Sequence, residues 1–219
     1  MVELFTHIIH LDFRWLFDNY HTAVYVILFL VIFIETGLVI MPFLPGDSLL
    51  FTAGLFANQI NETTGEPYLN VFLLLILLFA AAVLGDNSNY WVGRIIGLKA
   101  VNIKIKNRRL VKQQYLDKTE SFFERYGTKT IIMARFVPIV RTFAPFVAGI
   151  AKMQYRRFLL FDILGGAVWI GSMIIAGYFL GQFEWIRKNI ELVALAIIFI
   201  SVLPIIIQLL KSRLKKKKQ

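Results

Sequence analysis

Residues 131–151 read IIMARFVPIVRTFAPFVAGIA, and the rest of the chain takes its place around them. The stretch is long and apolar enough to cross a bilayer. Yet it carries two arginines, Arg135 and Arg141, and two prolines, Pro138 and Pro145. A proline in a helix interior removes a hydrogen bond and crowds the carbonyl four residues back. Its predecessor, here Val137 or Ala144, is pushed towards extended backbone. A guanidinium at mid-membrane costs about 2.5–3.5 kcal/mol on insertion scales. A plain anchor needs none of these features. The pattern therefore predicts a broken, re-entrant hairpin that carries fixed positive charge into the membrane.

Composition sets the class. Of the 219 residues, 58% are hydrophobic, well above the ordinary soluble range, so the chain reads as an integral membrane protein. There are no cysteines, which excludes disulfides, thiolate metal sites and thiol nucleophiles. The net charge is +10, concentrated in a block from Arg94 to Lys129 and in a tail from Lys211 to Lys218. Beside membrane spans such blocks report the positive-inside rule and anionic headgroups rather than nucleic acid, for which no aromatic-interleaved motif is present.

Outward from the central stretch, the chain divides as follows. Residues 1–21 have helical apolar spacing with polar residues between, as in an interfacial helix. His7 and His10 have no third ligand in view, so no metal site is expected. Residues 22–40 form a first span containing Glu35. Residues 41–58 form a second broken hairpin, interrupted by Pro42, Pro45 and Gly46 and holding Asp47. Residues 69–93 are a span continuing through Asp86, Asn89 and Tyr90. Residues 98–129 are a cytoplasmic basic segment with an amphipathic helix that stops at Gly127, where a left-handed residue is wanted. The central hairpin is 130–152. Residues 158–181 and 190–210 are spans, and 211–219 is a basic tail. The expected fold is an all-α helical bundle with two oppositely entering re-entrant hairpins and interfacial amphipathic helices.

Charge parity supports the hairpin. If 131–151 crossed the membrane, the basic tail and Lys152, Arg156 and Arg157 would lie opposite the Arg94–Lys129 block. If it dips in and returns, all of this charge stays cytoplasmic. A weak internal echo points the same way. Phe43-Leu44-Pro45 with Ala53-Gly54 matches Phe136-Val137-Pro138 with Ala148-Gly149, and Tyr90 and Gly93 match Tyr178 and Gly181. This is the arrangement of an inverted repeat, common in secondary transporters.

Four stretches together resemble the DedA family of bacterial inner-membrane proteins: FLPGDSLLFTAG (43–54), GDNSNYWVGR (85–94), FFERYG (122–127) and RFVPIVRTFAPFVAG (135–149). The resemblance covers about residues 20–210. It implies lipid translocation, because the related eukaryotic VTT-group proteins are scramblases. Bacterial members are linked to undecaprenyl phosphate recycling, to phosphatidylethanolamine flipping, and to proton-motive-force-dependent drug and alkali tolerance. The family's functional acids fall on Glu35 and Asp47 and its functional arginines on Arg135 and Arg141.

The residues themselves support related chemistry. Two acids and two arginines at membrane depth need each other, water or a ligand. Arginine suits phosphate, because its planar fork donates two parallel hydrogen bonds. The substrate expected is therefore a phospholipid or polyprenyl phosphate, first of all undecaprenyl phosphate, and carboxylates that take up protons could release the arginines for it. Static ion pairs are the structural alternative. Asp86, Asn89 and Tyr90 are secondary candidates for the polar path. Asp162 is expected as a surface partner of Arg156 and Arg157, and the four tryptophans as belt or packing residues. A phosphatidylethanolamine flippase or scramblase and a proton- or cation-coupled transporter remain open, as does oligomerisation. A hydrolase is disfavoured: all three histidines precede residue 22, away from the arginines, and Ser48 and Ser88 have no evident base. No cofactor is expected.

Overall fold

In the computed structural model the described residues are 23–38, 46–61, 65–96, 104–105, 108–109, 113–189 and 192–193. The expected interfacial helix at 1–21, nearly all of the expected span at 190–210 and the tail lie outside them. The helices are α1 (Ala23–Gly37), α2 (Gly46–Ala57), α3 (Val71–Ile96), α4 (Gln113–Tyr126), α5 (Thr130–Ala134), α6 (Pro138–Ile150), α7 (Tyr155–Leu180) and α8 (Glu184–Lys188). A 3-10 turn, Gly127–Lys129, links α4 to α5. The basic segment also holds a small antiparallel ladder, β1 (Lys104–Ile105) with β2 (Arg108–Arg109), which the sequence pattern did not suggest. Otherwise the described chain is helical.

α3 and α7 have 26 residues each. That is roughly 39 Å of helix, against about 30 Å of bilayer hydrocarbon. Both are apolar enough to cross. Phe72, Ile76, Leu84 and Ile95 on α3, and Leu160, Leu164, Val168, Ile175 and Phe179 on α7, are exposed. Such outward faces suit lipid, where only internally hydrogen-bonded backbone survives. Local chemistry sets the helix ends. Asn70 caps α3: its Oδ1 accepts from the N–H groups of Phe72 (3.0 Å) and Leu73 (3.1 Å), while its own N–H donates to the Tyr25 hydroxyl (2.7 Å). α4 stops at Gly127, whose φ of 58° is the left-handed conformation expected there.

The central stretch is broken once, not twice. α5 ends at Ala134; Arg135–Val137 form the break; Val137 is extended (φ −120°, ψ 103°) and Pro138 opens α6. Pro145, by contrast, sits inside α6 without ending it. Pro145 offers no N–H to the Arg141 carbonyl; the next carbonyl, Thr142, accepts from Asn89 Nδ2 of α3 at 2.7 Å, so α3 braces α6 beside that point. α6 has 13 residues, roughly 20 Å. Ile131 of α5 and Ala148 of α6 share one apolar cluster with Tyr90 of α3 and Phe158 of α7. The Met153 carbonyl, just past α6, accepts from the Tyr90 hydroxyl at 2.5 Å. Both arms of the broken stretch thus meet the same portions of α3 and α7.

The chain forms two compact units. One draws on Tyr20–Leu44 and Asn70–Ser172; the other includes Pro45–Leu69 and residues from Met173 onward. Within the first, a Cβ on Gly93 would strike the Phe146 carbonyl, and one on Gly149 the Tyr90 carbonyl. Within the second, a Cβ on Gly177 would strike the Phe51 carbonyl, and one on Gly54 the Ile174 carbonyl. In each unit a short helix and a long one thus cross with reciprocal glycine-to-carbonyl contact, the close approach that small residues permit in lipid. The internal echo is therefore structural, but its register differs from the sequence match: Gly93 corresponds to Gly177, one helical turn before Gly181. Of the second broken hairpin, 39–45 lie outside the described residues, and α2 runs unbroken from Gly46 to Ala57.

Candidate functional site

Among the described residues, five charged side chains are buried in the unit containing α3 and α6: Glu35, Asp86, Arg135, Arg141 and Asp162. Their positions follow from the elements. Arg135 is the C-cap of α5, still helical in its dihedrals, and the chain turns extended only at Val137, so its side chain leaves the end of α5 between α3 and α7. Its Nη2 donates to Asp86 Oδ2 of α3 and to Asp162 Oδ1 of α7, the latter at 2.5 Å. Arg141, one turn into α6, donates from Nη2 to Glu35 Oε1 of α1 at 2.5 Å. α1 reaches that level because it packs closely on α3, where a Cβ on Gly85 would strike Thr36 Oγ1.

One indole joins the two ion clusters. The guanidinium carbons of Arg141 and Arg135 lie 4.6 and 5.7 Å from the centroid of the Trp169 ring, which is 1% exposed. A desolvated cation over an aromatic face is held by the ring quadrupole. Asn89, fully buried, donates from Nδ2 to the Thr36 carbonyl (3.2 Å) as well as to Thr142. It therefore ties α1 and α6, the helices bearing Glu35 and Arg141. Tyr90 lies further along α3; its hydroxyl accepts from Arg94 Nη1 (2.7 Å) while donating to Met153. Among these groups Asp86 Oδ1, Asp162 Oδ2, Asn89 Oδ1 and Arg135 Nη1 are buried without a hydrogen-bond partner among the described residues.

The residues singled out from sequence are distributed as follows. Glu35 and Arg141 meet directly. Asp86 joins Arg135, and Asn89 braces the site, whereas Tyr90 and Arg94 hold the end of α6. Asp47 belongs to the other unit, in the first turn of α2, where a carboxylate is favoured by the helix dipole. Asp162 corrects the sequence expectation. It is not a surface partner of Arg156 and Arg157, which are exposed; it is fully buried on Arg135. The cause is that α7 begins at Tyr155, which sets Asp162 about 10 Å inside the helix. Two signals could have found it: an acid well inside an apolar 26-residue helix, and small residues Gly165 and Gly166 beside it that let α5 approach, Gly165 against Ile132 and Gly166 near Arg135 Nη2. Trp169 was expected only to pack or to sit in an aromatic belt, and its contact with both arginines had no sequence signal. Trp91 and Trp185 are exposed.

Long helices with exposed apolar faces and a buried cluster of arginines and carboxylates define a membrane protein with a charged interior. The chain belongs to the DedA family of VTT-domain proteins. Residues 44–179 match the VTT domain. The chain is 45% identical to protein DedA of Escherichia coli K12 over 96% of its own length and 94% of that protein's. It is 43% identical to an uncharacterized membrane protein of Mycobacterium tuberculosis H37Rv, covering 88% and 82% of the two chains. It is 32% identical to the inner membrane protein YghB of Escherichia coli K12, covering 89% and 84%. No solved structure matches it significantly.

Proposed function

We propose that this protein moves a phosphate-headed lipid, foremost undecaprenyl phosphate, across the bacterial cytoplasmic membrane, with protons coupled to the movement. One observation carries this: two guanidiniums are buried in a lipid-facing bundle, and Arg135 Nη1 has no hydrogen-bond partner among the described residues. A polyprenyl phosphate presents a small anionic head and a tail that stays in lipid, so only the head needs a polar path. Arginine at that path offers a planar, two-pronged grip on phosphate. Glu35, Asp86 and Asp162 hold the arginines when no phosphate does, and their protonation releases them. Asp47, in the other unit, is added as a transport residue on the family resemblance alone.

The membrane placement proposed is a re-entrant one for residues 130–152. It is supported by the single break at Arg135–Val137, by the length of α6, roughly 20 Å, and by the basic residues flanking both ends. The tail is proposed to be cytoplasmic on the same grounds. No bond is made or broken in this cycle, so the protein is read as a transporter and not an enzyme.

A second reading has one specific support. Three buried acids face two buried arginines, so a headgroup with both a phosphate and an ammonium, as in phosphatidylethanolamine, would find counter-charges for each. Reconstituting the purified protein with either labelled lipid, with and without a pH gradient, separates the two. Faster movement of undecaprenyl phosphate under a gradient is the expected result; movement of phosphatidylethanolamine alone would displace the first reading. Arg141→Lys should fold yet lose transport, since an ammonium cannot give the two-pronged grip. Normal transfer by that variant would remove the phosphate-grip role of Arg141.

A further inference from the structure

The charge count of the buried cluster carries a further conclusion. Arginine does not lose its proton in proteins, so Arg135 and Arg141 contribute two positive charges. Glu35, Asp86 and Asp162, all ionised, would contribute three negative ones. Glu35 has its own guanidinium in Arg141. Among the described residues Asp86 and Asp162 share one, and both take their hydrogen bond from the same nitrogen, Arg135 Nη2. Two carboxylates gathered at one donor repel each other, and burial screens that repulsion less than bulk water would. A hydrogen on one of the two carboxyls removes that repulsion, because the protonated group is neutral and can donate where a carboxylate only accepts. The oxygens not on Arg135, Asp86 Oδ1 and Asp162 Oδ2, have no hydrogen-bond partner among the described residues. Among the described residues the charged groups facing this pair are Arg135, which bonds both acids, and Arg141 of α6, which shares the Trp169 ring with Arg135.

We propose that Asp86 and Asp162 form a carboxyl pair sharing a single proton, and that this pair is the protein's proton-binding site. One proton makes the five-residue cluster neutral, with each arginine facing one net negative charge. Release of that proton leaves a surplus negative charge in a dry interior, which binds Arg135 more tightly to the acids. Uptake of a second loosens Arg135 and frees it for an anion. The pair thus sets how available Arg135 is. The inference deepens the transport reading above and rests on it for the use made of the proton, but not for the proton's existence.

Infrared spectroscopy of the full-length protein in lipid nanodiscs tests it, by following the carbonyl stretch of protonated carboxylic acid at neutral pH. The wild type should show such a band, shifted by deuterium exchange. Asp86→Asn and Asp162→Asn should each abolish it and still fold, because the remaining aspartate then pairs alone with Arg135 and the cluster stays neutral. The double variant should be markedly less stable than either, since Arg135 would lose both acids. Glu124→Gln, at an exposed position on α4, should leave the band intact. A wild type without the band, or a band that survives both single substitutions, overturns the proposal. Lipid movement measured on the same preparations is a separate readout: the band without movement would sink the transport reading alone, and movement without the band would sink the shared proton alone.

Discussion

Trp169 is the residue on which the two arginines converge, and its ring does more than fill space if the 4.6 Å approach of Arg141 is attractive. Trp169→Leu should lower stability by about 2–4 kcal/mol, combining a cavity with the lost aromatic face. Trp169→Phe keeps a face and should lose about half as much. Thermal melts of the purified variants check this, and a leucine variant as stable as the phenylalanine one would make the indole mere filler. At this scale the sequence revealed the kinds of charge present and misassigned one partner. Glu35 and Arg141 stand out as lone charges in apolar runs. Asp162 stands beside Arg156 and Arg157 in the chain, and nearness along the chain suggested a pairing that the fold does not make. Which carboxylate meets which guanidinium is decided by how α3, α6 and α7 cross, and no local pattern encodes that.

Elements were more legible where backbone chemistry is strict. Gly127 ends α4 and Pro138 opens α6 because few other residues suit those conformations. Pro145 misleads because α6 continues through it, with Asn89 bracing the carbonyl next to the one that loses its donor. Asn89→Leu should therefore cost about 1–3 kcal/mol, with the carbonyls of Thr36 and Thr142 losing that donor. Pro145→Ala should recover part of that loss, so the double-mutant cycle should be non-additive; strict additivity would separate the two residues. The crossings of short and long helices make a second demand. Gly149→Ala and Gly54→Ala each drive a methyl into a backbone carbonyl and should destabilise by about 1–3 kcal/mol. Gly171→Ala, on the long helix α7 that Gly54 faces but with open space around it, should be neutral or better. Equal melting points for all three would mean that the crossings tolerate more than their geometry allows.

For the molecule as a whole, composition alone identified a membrane protein, and long apolar runs marked α3 and α7. Sidedness is the remaining question, and the cysteine-free sequence makes it easy to ask. Lys152→Cys and Glu124→Cys are both at exposed positions, one after α6 and one on α4. If residues 130–152 dip into the bilayer and return, an impermeant thiol reagent should label both from the cytoplasmic face. Labelling of the two from opposite faces would make that stretch a crossing and place Arg156 and Arg157 outside.

The grip of Asn89 on α6 has one more effect. It takes hold of main-chain atoms, so it fixes the rotation of α6 about its long axis whatever side chains that helix carries. Arg141 lies one residue from the point held, and its azimuth towards Glu35 is set there. A neutral change at Asn89, far from any charge in kind if not in distance, would act like a slipped key, turning the guanidinium away from its acid while leaving every ionisable residue in the sequence untouched.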